Sequence, residues 1–266
     1  MHTISSMSTV TLQPLSGTLG AEVGGVDVRA PDEPMVGRLC EMLAEHHLLL
    51  FRNQDLTPRE HAVFAGQFGP LSVHPRLRAI EDAPELIEVY DPRNPVATTW
   101  HQDQTFLPCP PSSTMLVARV LPPSGGDTMF ANQHAAFEAL SPAMQDIVVG
   151  LRAIHRRVAR DSEGRVIEHD EAIHPVAPRH PITGRRALFV NRDYTVAIEG
   201  FSQPESDALL TFLYVHSVLP QFTCRHRWAM GDVVLWDNRS LLHCVVGDAT
   251  GPRLLHKATM AGDAPC

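Results

Sequence analysis

Turn-forming residues interrupt this chain before any apolar run can grow long. Gly17, Gly20, Gly24 and Gly25 punctuate residues 10–29, and Gly69-Pro70, Pro108, Pro110, Pro111, Gly125-Gly126, Gly184, Gly231 and Gly251-Pro252 do the same further on. Between them lie short apolar runs: residues 86–90, Thr114 to Leu121, Met129 to Ala131, Val233 to Trp236, Leu241 to Val246 and Arg253 to Met260. Runs of this length bounded by turn residues read as strands. Helical spacing is confined to a few stretches. Pro34 to Glu45 is one, and a second opens at the capping box Thr57-Pro58-Arg59-Glu60 and runs to about Phe68. Residues 133–140 and 142–150 are two more, and the last opens at a second capping box, Ser202-Gln203-Pro204-Glu205. The expectation is a mainly β protein with flanking helices, a double-stranded β-helix (jelly roll), forming one domain over 1–266. Leu241–Val246 and Arg253–Met260 are expected to close it as an antiparallel pair, and Gly125-Gly126-Asp127-Thr128 reads as a hairpin turn.

Residues 157–172 have little to bury and read as a surface loop, a candidate active-site lid. The net charge of −8 argues against a general nucleic-acid or anionic-membrane binder, while leaving room for a local basic pocket. Five cysteines without a CxxC spacing read as reduced thiols, with Cys244 in the core. No apolar run approaches a membrane span and no signal-peptide pattern opens the chain, so the expected location is cytoplasmic, away from membranes.

The chemistry concentrates at Trp100-His101-Gln102-Asp103-Gln104-Thr105-Phe106. On a strand, residues i and i+2 share a face, so His101 and Asp103 can reach one metal ion together. His243 is the candidate third ligand. Two imidazoles and one carboxylate on one face of an octahedral ion leave three open positions, the facial triad of non-haem Fe(II) oxygenases. Alone, the pattern is weak: with 15 His and 16 Asp in 266 residues, chance supplies about one His-x-Asp. An inward Arg253 would be costly without an anion and suits a carboxylate, though Gly251-Pro252 also allows a solvated strand end.

Four motifs in order carry a family resemblance: the stretch 100–106; Gly125-Gly126-Asp127-Thr128; Trp236-Asp237-Asn238-Arg239 with His243; and Arg253-Leu254-Leu255-His256-Lys257-Ala258-Thr259. With Leu19 to Asp27 and Phe68-Gly69-Pro70-Leu71, the chain resembles the taurine dioxygenase and chlorophenoxyacetate dioxygenase family along nearly its whole length. The resemblance implies an Fe(II)- and 2-oxoglutarate-dependent dioxygenase. His101, Asp103 and His243 would bind the metal, and Arg253 and Thr128 the distal carboxylate of 2-oxoglutarate. The cosubstrate's other end would take two open metal positions and leave one for O2. Succinate and CO2 would leave as the substrate is hydroxylated, and a heteroatom on the hydroxylated carbon would lead to bond cleavage. A non-oxygenase jelly-roll metal-binding module and a Zn-dependent hydrolase on the same triad remain the alternatives.

The resemblance also implies a small anionic organic substrate. Lys257, four positions after Arg253, stands where relatives place a basic residue toward the substrate's acidic group. His74 and Tyr194 match substrate-contacting positions of the taurine enzyme. Phe106 is a candidate for the apolar wall, and Phe130 fits the wall or the core. The polar residue that holds taurine's amine is replaced near Ala97, which disfavours taurine itself. An alkyl sulfonate, alkyl sulfate or aryloxyalkanoate fits better. Relatives are often homo-oligomers, but no interface signal stands out here.

Overall fold

The computed structural model describes residues 10–73, 79–92, 97–160, 163 and 165–266. Its strands are β1 Thr11–Pro14, β2 Ala21–Gly24, β3 Leu48–Phe51, β4 Ala79–Ile80, β5 Ala83–Asp91, β6 Ser113–Val120, β7 Thr128–Asn132, β8 Arg152–Arg160, β9 Val166–Pro175, β10 Thr195–Ile198, β11 Thr223–His226, β12 Val233–Asp237, β13 Leu241–Val245 and β14 Arg253–Met260. The helices are α1 Glu33–His46, α2 Pro58–Gly66, α3 Gln133–Glu138, α4 Pro142–Val149 and α5 Gln203–His216. Capping chemistry fixes where several begin. The Asp32 side chain accepts from Met35 N–H at 2.9 Å, and Thr57 with Glu60 closes a reciprocal capping box on α2.

The strands form an eight-stranded sheet in the order β1-β2-β3-β12-β6-β14-β5-β4, a three-stranded sheet β11-β7-β13 and a further sheet β10-β8-β9. Strand alternation explains how the large sheet is covered on both faces. Leu49, Phe51, Met115, Val117, Val233, Leu235, Ala258 and Met260 point outward and pack on Leu39 and Leu43 of α1 and Phe64 of α2. Leu48, Leu50, Leu116, Val234, Trp236 and Leu255 point inward and meet Phe130 of β7 and Leu241 of β13. The result is the expected jelly roll, with its inner face between the large sheet and β11-β7-β13.

Three expectations change. β13 and β14 are not partners: β13 pairs with β7, whereas β14 lies between β5 and β6 in the other sheet. The chain crosses from one sheet to the other between them, so Arg253 faces the site from the opposite wall. For the same reason Gly125-Gly126-Asp127-Thr128 joins two sheets and is not a hairpin turn. Finally, the described residues of 157–172 are largely strand and not loop. β8 and β9 pair antiparallel with Arg156 opposite Glu171 and Arg157 opposite Asp170. Opposite charges facing across a ladder stabilise strands that have little apolar surface to bury.

Candidate active site

The backbone fixes His101 and His243 against each other. They form an isolated antiparallel bridge, His101 N–H donating to the His243 carbonyl at 3.0 Å and His243 N–H to the His101 carbonyl at 2.8 Å. Their ring centroids lie 4.3 Å apart. Asp103 arrives by a different route from the expected strand alternation. After the single bridge at His101 the chain turns, with Gln104 at φ +49° and Leu107 N–H bonded back to the Gln104 carbonyl at 3.0 Å. His155 Nδ1 and Asn191 Nδ2 lie 2.9 and 3.1 Å from Thr105 Oγ1, and His174 Nε2 lies 2.9 Å from the Thr105 carbonyl oxygen. The β8–β9 hairpin thus grips the turn that carries Asp103.

One ligand atom from each of His101, Asp103 and His243 can be chosen so that all lie within 4.8 Å of one another, and this is the one such cluster among the described residues. Their protonation suits a cation. His101 Nδ1 donates to the Thr99 carbonyl at 2.8 Å, which leaves the Nε2 lone pair facing Asp103. Burial, helped by His101, holds the His243 pKa well below its usual value, so its ring is neutral. Burial alone would raise the Asp103 pKa, but Lys257, His243 and His101 together bring it below the usual carboxylate range. Two imidazoles, each with Nε2 facing Asp103, and a carboxylate held ionised fit an Fe(II) ion. His243 Nδ1 is buried without a hydrogen-bond partner.

Alternation along β14 points Arg253 and Lys257 to the same inner face. Lys257 Nζ lies 2.8 Å from Asp103 Oδ1, and Asp103 Oδ2 accepts from Thr114 Oγ1 at 2.7 Å. Arg253 is 1% exposed. It donates from Nη1 to Asp91 Oδ2 and from Nη2 to Thr128 Oγ1, each at 3.2 Å, and its guanidinium sits 5.7 Å from the Trp228 ring centroid. Its Nε–H is buried with no partner. Thr128 Oγ1 also accepts from Trp228 Nε1 at 3.0 Å, so the Thr128 hydroxyl hydrogen remains available to an incoming acceptor. An orphan guanidinium N–H beside an available hydroxyl is a fitting cradle for a carboxylate. Gly126 makes room for it: a Cβ there would sit 3.1 Å from Arg253 Cδ, and its φ is +73°.

A cavity of about 350 Å³ opens over Asp103 and Lys257. Ile87, Phe106, Leu107 and Tyr194 supply apolar wall, and Arg157 and Asp170 enter it from the β8–β9 hairpin. Tyr194 stacks edge-on to Phe106 at 5.0 Å, and burial followed by the nearby Asp103 and Asp193 charges raises its hydroxyl pKa. A larger cavity of about 520 Å³ lies by Trp100 and Tyr214; Arg192 is its one charged lining residue, and no carboxylate or imidazole lines it. Phe130 is wholly buried against Trp236 and His243 and belongs to the core, as does Cys244. His74 lies outside the described residues.

The structure therefore brings His101, Asp103, His243, Lys257, Phe106 and Tyr194 together, with Arg253 and Thr128 across the same inner space. Sequence reasoning missed Asp91, Thr114, Trp228 and Arg157. Asp91 faces Arg253 in the β5–β14 register, a relation visible only once strand order is known.

Comparisons with known proteins agree with this geometry. The family model for "Taurine catabolism dioxygenase TauD, TfdA family" matches residues 11–259. The chain is 31% identical to an alpha-ketoglutarate-dependent sulfate ester dioxygenase of Pseudomonas putida, over 96% of this chain and 90% of that one. It is 33% identical to an (S)-phenoxypropionate/alpha-ketoglutarate-dioxygenase of Sphingobium herbicidovorans, covering 95% of each. A taurine dioxygenase structure from Burkholderia xenovorans superposes with a TM-score of 0.86 at 33% identity, over 96% of this chain and 90% of that one.

Proposed function

The chain belongs to the taurine catabolism dioxygenase TauD, TfdA family, 2-oxoglutarate-dependent enzymes that use Fe(II) and O2, and from that premise we propose that it hydroxylates a small organic anion. The substrate class is an alkyl sulfate, alkyl sulfonate or aryloxyalkanoate. Relatives named for sulfate esters and phenoxypropionate support this range.

The observation that carries the reading is the pairing of a buried His-Asp-His cluster with a buried guanidinium that lacks a partner on one nitrogen. His101, Asp103 and His243 hold Fe(II). Arg253 and Thr128 hold the distal carboxylate of 2-oxoglutarate through the Nε–H and the hydroxyl hydrogen. A metal-binding module or a hydrolase would have no use for that cradle. When bound, iron, 2-oxoglutarate and O2 supply an oxidant able to hydroxylate a C–H bond, with succinate and CO2 released.

The chain's part is to bind, orient and exclude water. Lys257 anchors the substrate's anionic group as a point charge. Phe106 and Tyr194 flank its apolar portion. The grip of His155, His174 and Asn191 on residues 105–107 keeps the turn bearing Asp103 in register. The hairpin carrying Arg157 and Asp170 borders the cavity, so the covering role falls to paired strands within one catalytic domain. Where the hydroxylated carbon bears oxygen, as in an alkyl sulfate, the hydroxylated product collapses to an aldehyde and free sulfate.

The test is a panel of short alkyl sulfates, alkyl sulfonates and aryloxyalkanoates, read by succinate formation in air and under argon. Succinate formed in air in equimolar amount with aldehyde or hydroxylated product supports the reading. Turnover that persists under argon, or that proceeds without 2-oxoglutarate, overturns it.

A further inference from the structure

Asp103 is held by a hydrogen-bond chain that begins on the neighbouring strand. Trp236 Nε1 donates to Asn238 Oδ1 at 2.8 Å, Asn238 Nδ2 donates to Thr114 Oγ1 at 2.8 Å, and Thr114 Oγ1 donates to Asp103 Oδ2 at 2.7 Å. All four side chains are buried. Thr114 on β6 stands opposite Trp236 on β12, and Asn238 follows β12 by one residue, its N–H bonded to the Ser112 carbonyl at 2.9 Å.

The direction of this chain is forced at its origin. An indole N–H can only donate, so the Asn238 amide must present its oxygen to Trp236 and its nitrogen to Thr114. A threonine hydroxyl has one hydrogen. With Asn238 donating into Thr114 Oγ1, that hydrogen goes to Asp103. Thr114 thus holds one carboxylate oxygen, Oδ2, while Lys257 Nζ lies 2.8 Å from its neighbour. The other, Oδ1, faces His101 Nε2 at 3.9 Å and His243 Nε2 at 3.8 Å.

We propose that Thr114 is the positioning residue that keeps Asp103 Oδ1 turned toward the point it shares with His101 and His243, and that Asn238 and Trp236 set the direction of its hydroxyl. The inference rests on the reading of Asp103 as a metal ligand. A carboxylate free to turn would hold an oxygen at that point only part of the time, so loss of the Thr114 hydroxyl weakens metal binding. A group that merely filled space at this point in β6 could be valine, which has the same shape and no hydroxyl.

The test measures Mn(II) binding to metal-free protein without 2-oxoglutarate, by the electron paramagnetic resonance signal of free aqueous Mn(II). Thr114→Val is expected to bind Mn(II) about 10- to 100-fold more weakly than the parent, the usual cost of losing a hydrogen bond to a ligand. Thr114→Ser, which keeps the hydroxyl, is expected to stay within about threefold, and Asn238→Ala to lose several-fold. The double variant should be little worse than Thr114→Val, because Asn238 acts through Thr114. A folded Thr114→Val with parental affinity overturns the inference while leaving the metal site intact. A Thr114→Ser as weak as Thr114→Val also overturns it, since shape would then be what matters. If Thr114→Val does not fold, Asn238→Ala decides: unchanged Mn(II) affinity overturns the inference. A parent that binds no Mn(II) removes the metal-site reading itself, and the inference with it.

Discussion

Lys257 Nζ stands 2.8 Å from Asp103 Oδ1, the oxygen that also faces His101 and His243. A lysine meant only for substrate would not need to touch a metal ligand. The contact sets the Lys257 ammonium on the carboxylate proposed as a metal ligand, so a cation bound there would compete with it for Oδ1.

Lys257→Ala should raise the KM for substrate by about 10-fold or more, the order expected for a lost charge-assisted hydrogen bond. The KM for 2-oxoglutarate should change by less than about threefold. Steady-state kinetics with each component varied in turn checks this. A larger rise for 2-oxoglutarate than for substrate would remove Lys257 from the substrate site.

Lys257→Met should tighten Mn(II) binding. The ammonium group competes with a metal cation for Asp103, and like charges a few ångströms apart repel by several kcal/mol at an effective dielectric of about 20. Direct titration of metal-free protein reads the change. Weaker binding in the variant would mean that Lys257 supports the ligand and does not compete for it.

Arg253→Ala should raise the KM for 2-oxoglutarate by at least about 30-fold, the low end of the 2–5 kcal/mol cost of truncating a buried charge pair. It should also lower the melting temperature, because Asp91 would be left buried beside no cation. Arg253→Lys should recover part of the stability and little of the affinity, since lysine cannot offer the Nε–H. Parental 2-oxoglutarate KM in a folded Arg253→Ala contradicts the assignment.

Stability should fall on acidification from pH 7.5 to 5.5. Burial, then the charges of Arg119 and His256, pulls the His61 pKa from 6.5 down to about 3. Burial, then His134, does the same to His47, also from 6.5 to about 3. Both rings are neutral in the folded state, while the unfolded chain takes up their protons below 6.5. The stability they contribute is thus complete above pH 6.5 and is lost as pH falls toward 3. Each histidine accounts for about 1.4 kcal/mol per pH unit inside that window. Urea unfolding at the two pH values measures the slope, and His61→Leu should flatten it. An unchanged midpoint between them would contradict the buried-neutral state of these rings.

Much of this was legible because chemistry limits the choices. The jelly roll and the candidate set His101, Asp103 and His243 could be named from turn spacing and residue types, whereas the roles of Arg253 and Thr128 came through the family resemblance. What stayed hidden depends on strand order. Arg253 meets Asp91 across 162 positions of sequence. Thr114 and Asn238 look like ordinary strand-start and turn residues until β6 and β12 lie side by side. The stretch 157–172 reads as a loop when its polarity is taken one residue at a time. Its charges complement one another only in the β8–β9 register, where Arg156 Nε donates to Glu171 at 2.7 Å. Asp103 joins His101 and His243 through a turn at Gln104 and not by strand alternation, so the proposed ligand set rests on a local geometry that the His-x-Asp spacing does not reveal.

The most direct test is anaerobic. Fe(II) and 2-oxoglutarate are added to metal-free protein and the visible spectrum is recorded. The account predicts a metal-to-ligand charge-transfer band in the parent. It predicts no band when His101 or Asp103 is replaced by Ala, and a band requiring far more 2-oxoglutarate in Arg253→Ala. A folded parent that binds Fe(II) yet shows no band at saturating 2-oxoglutarate would contradict it.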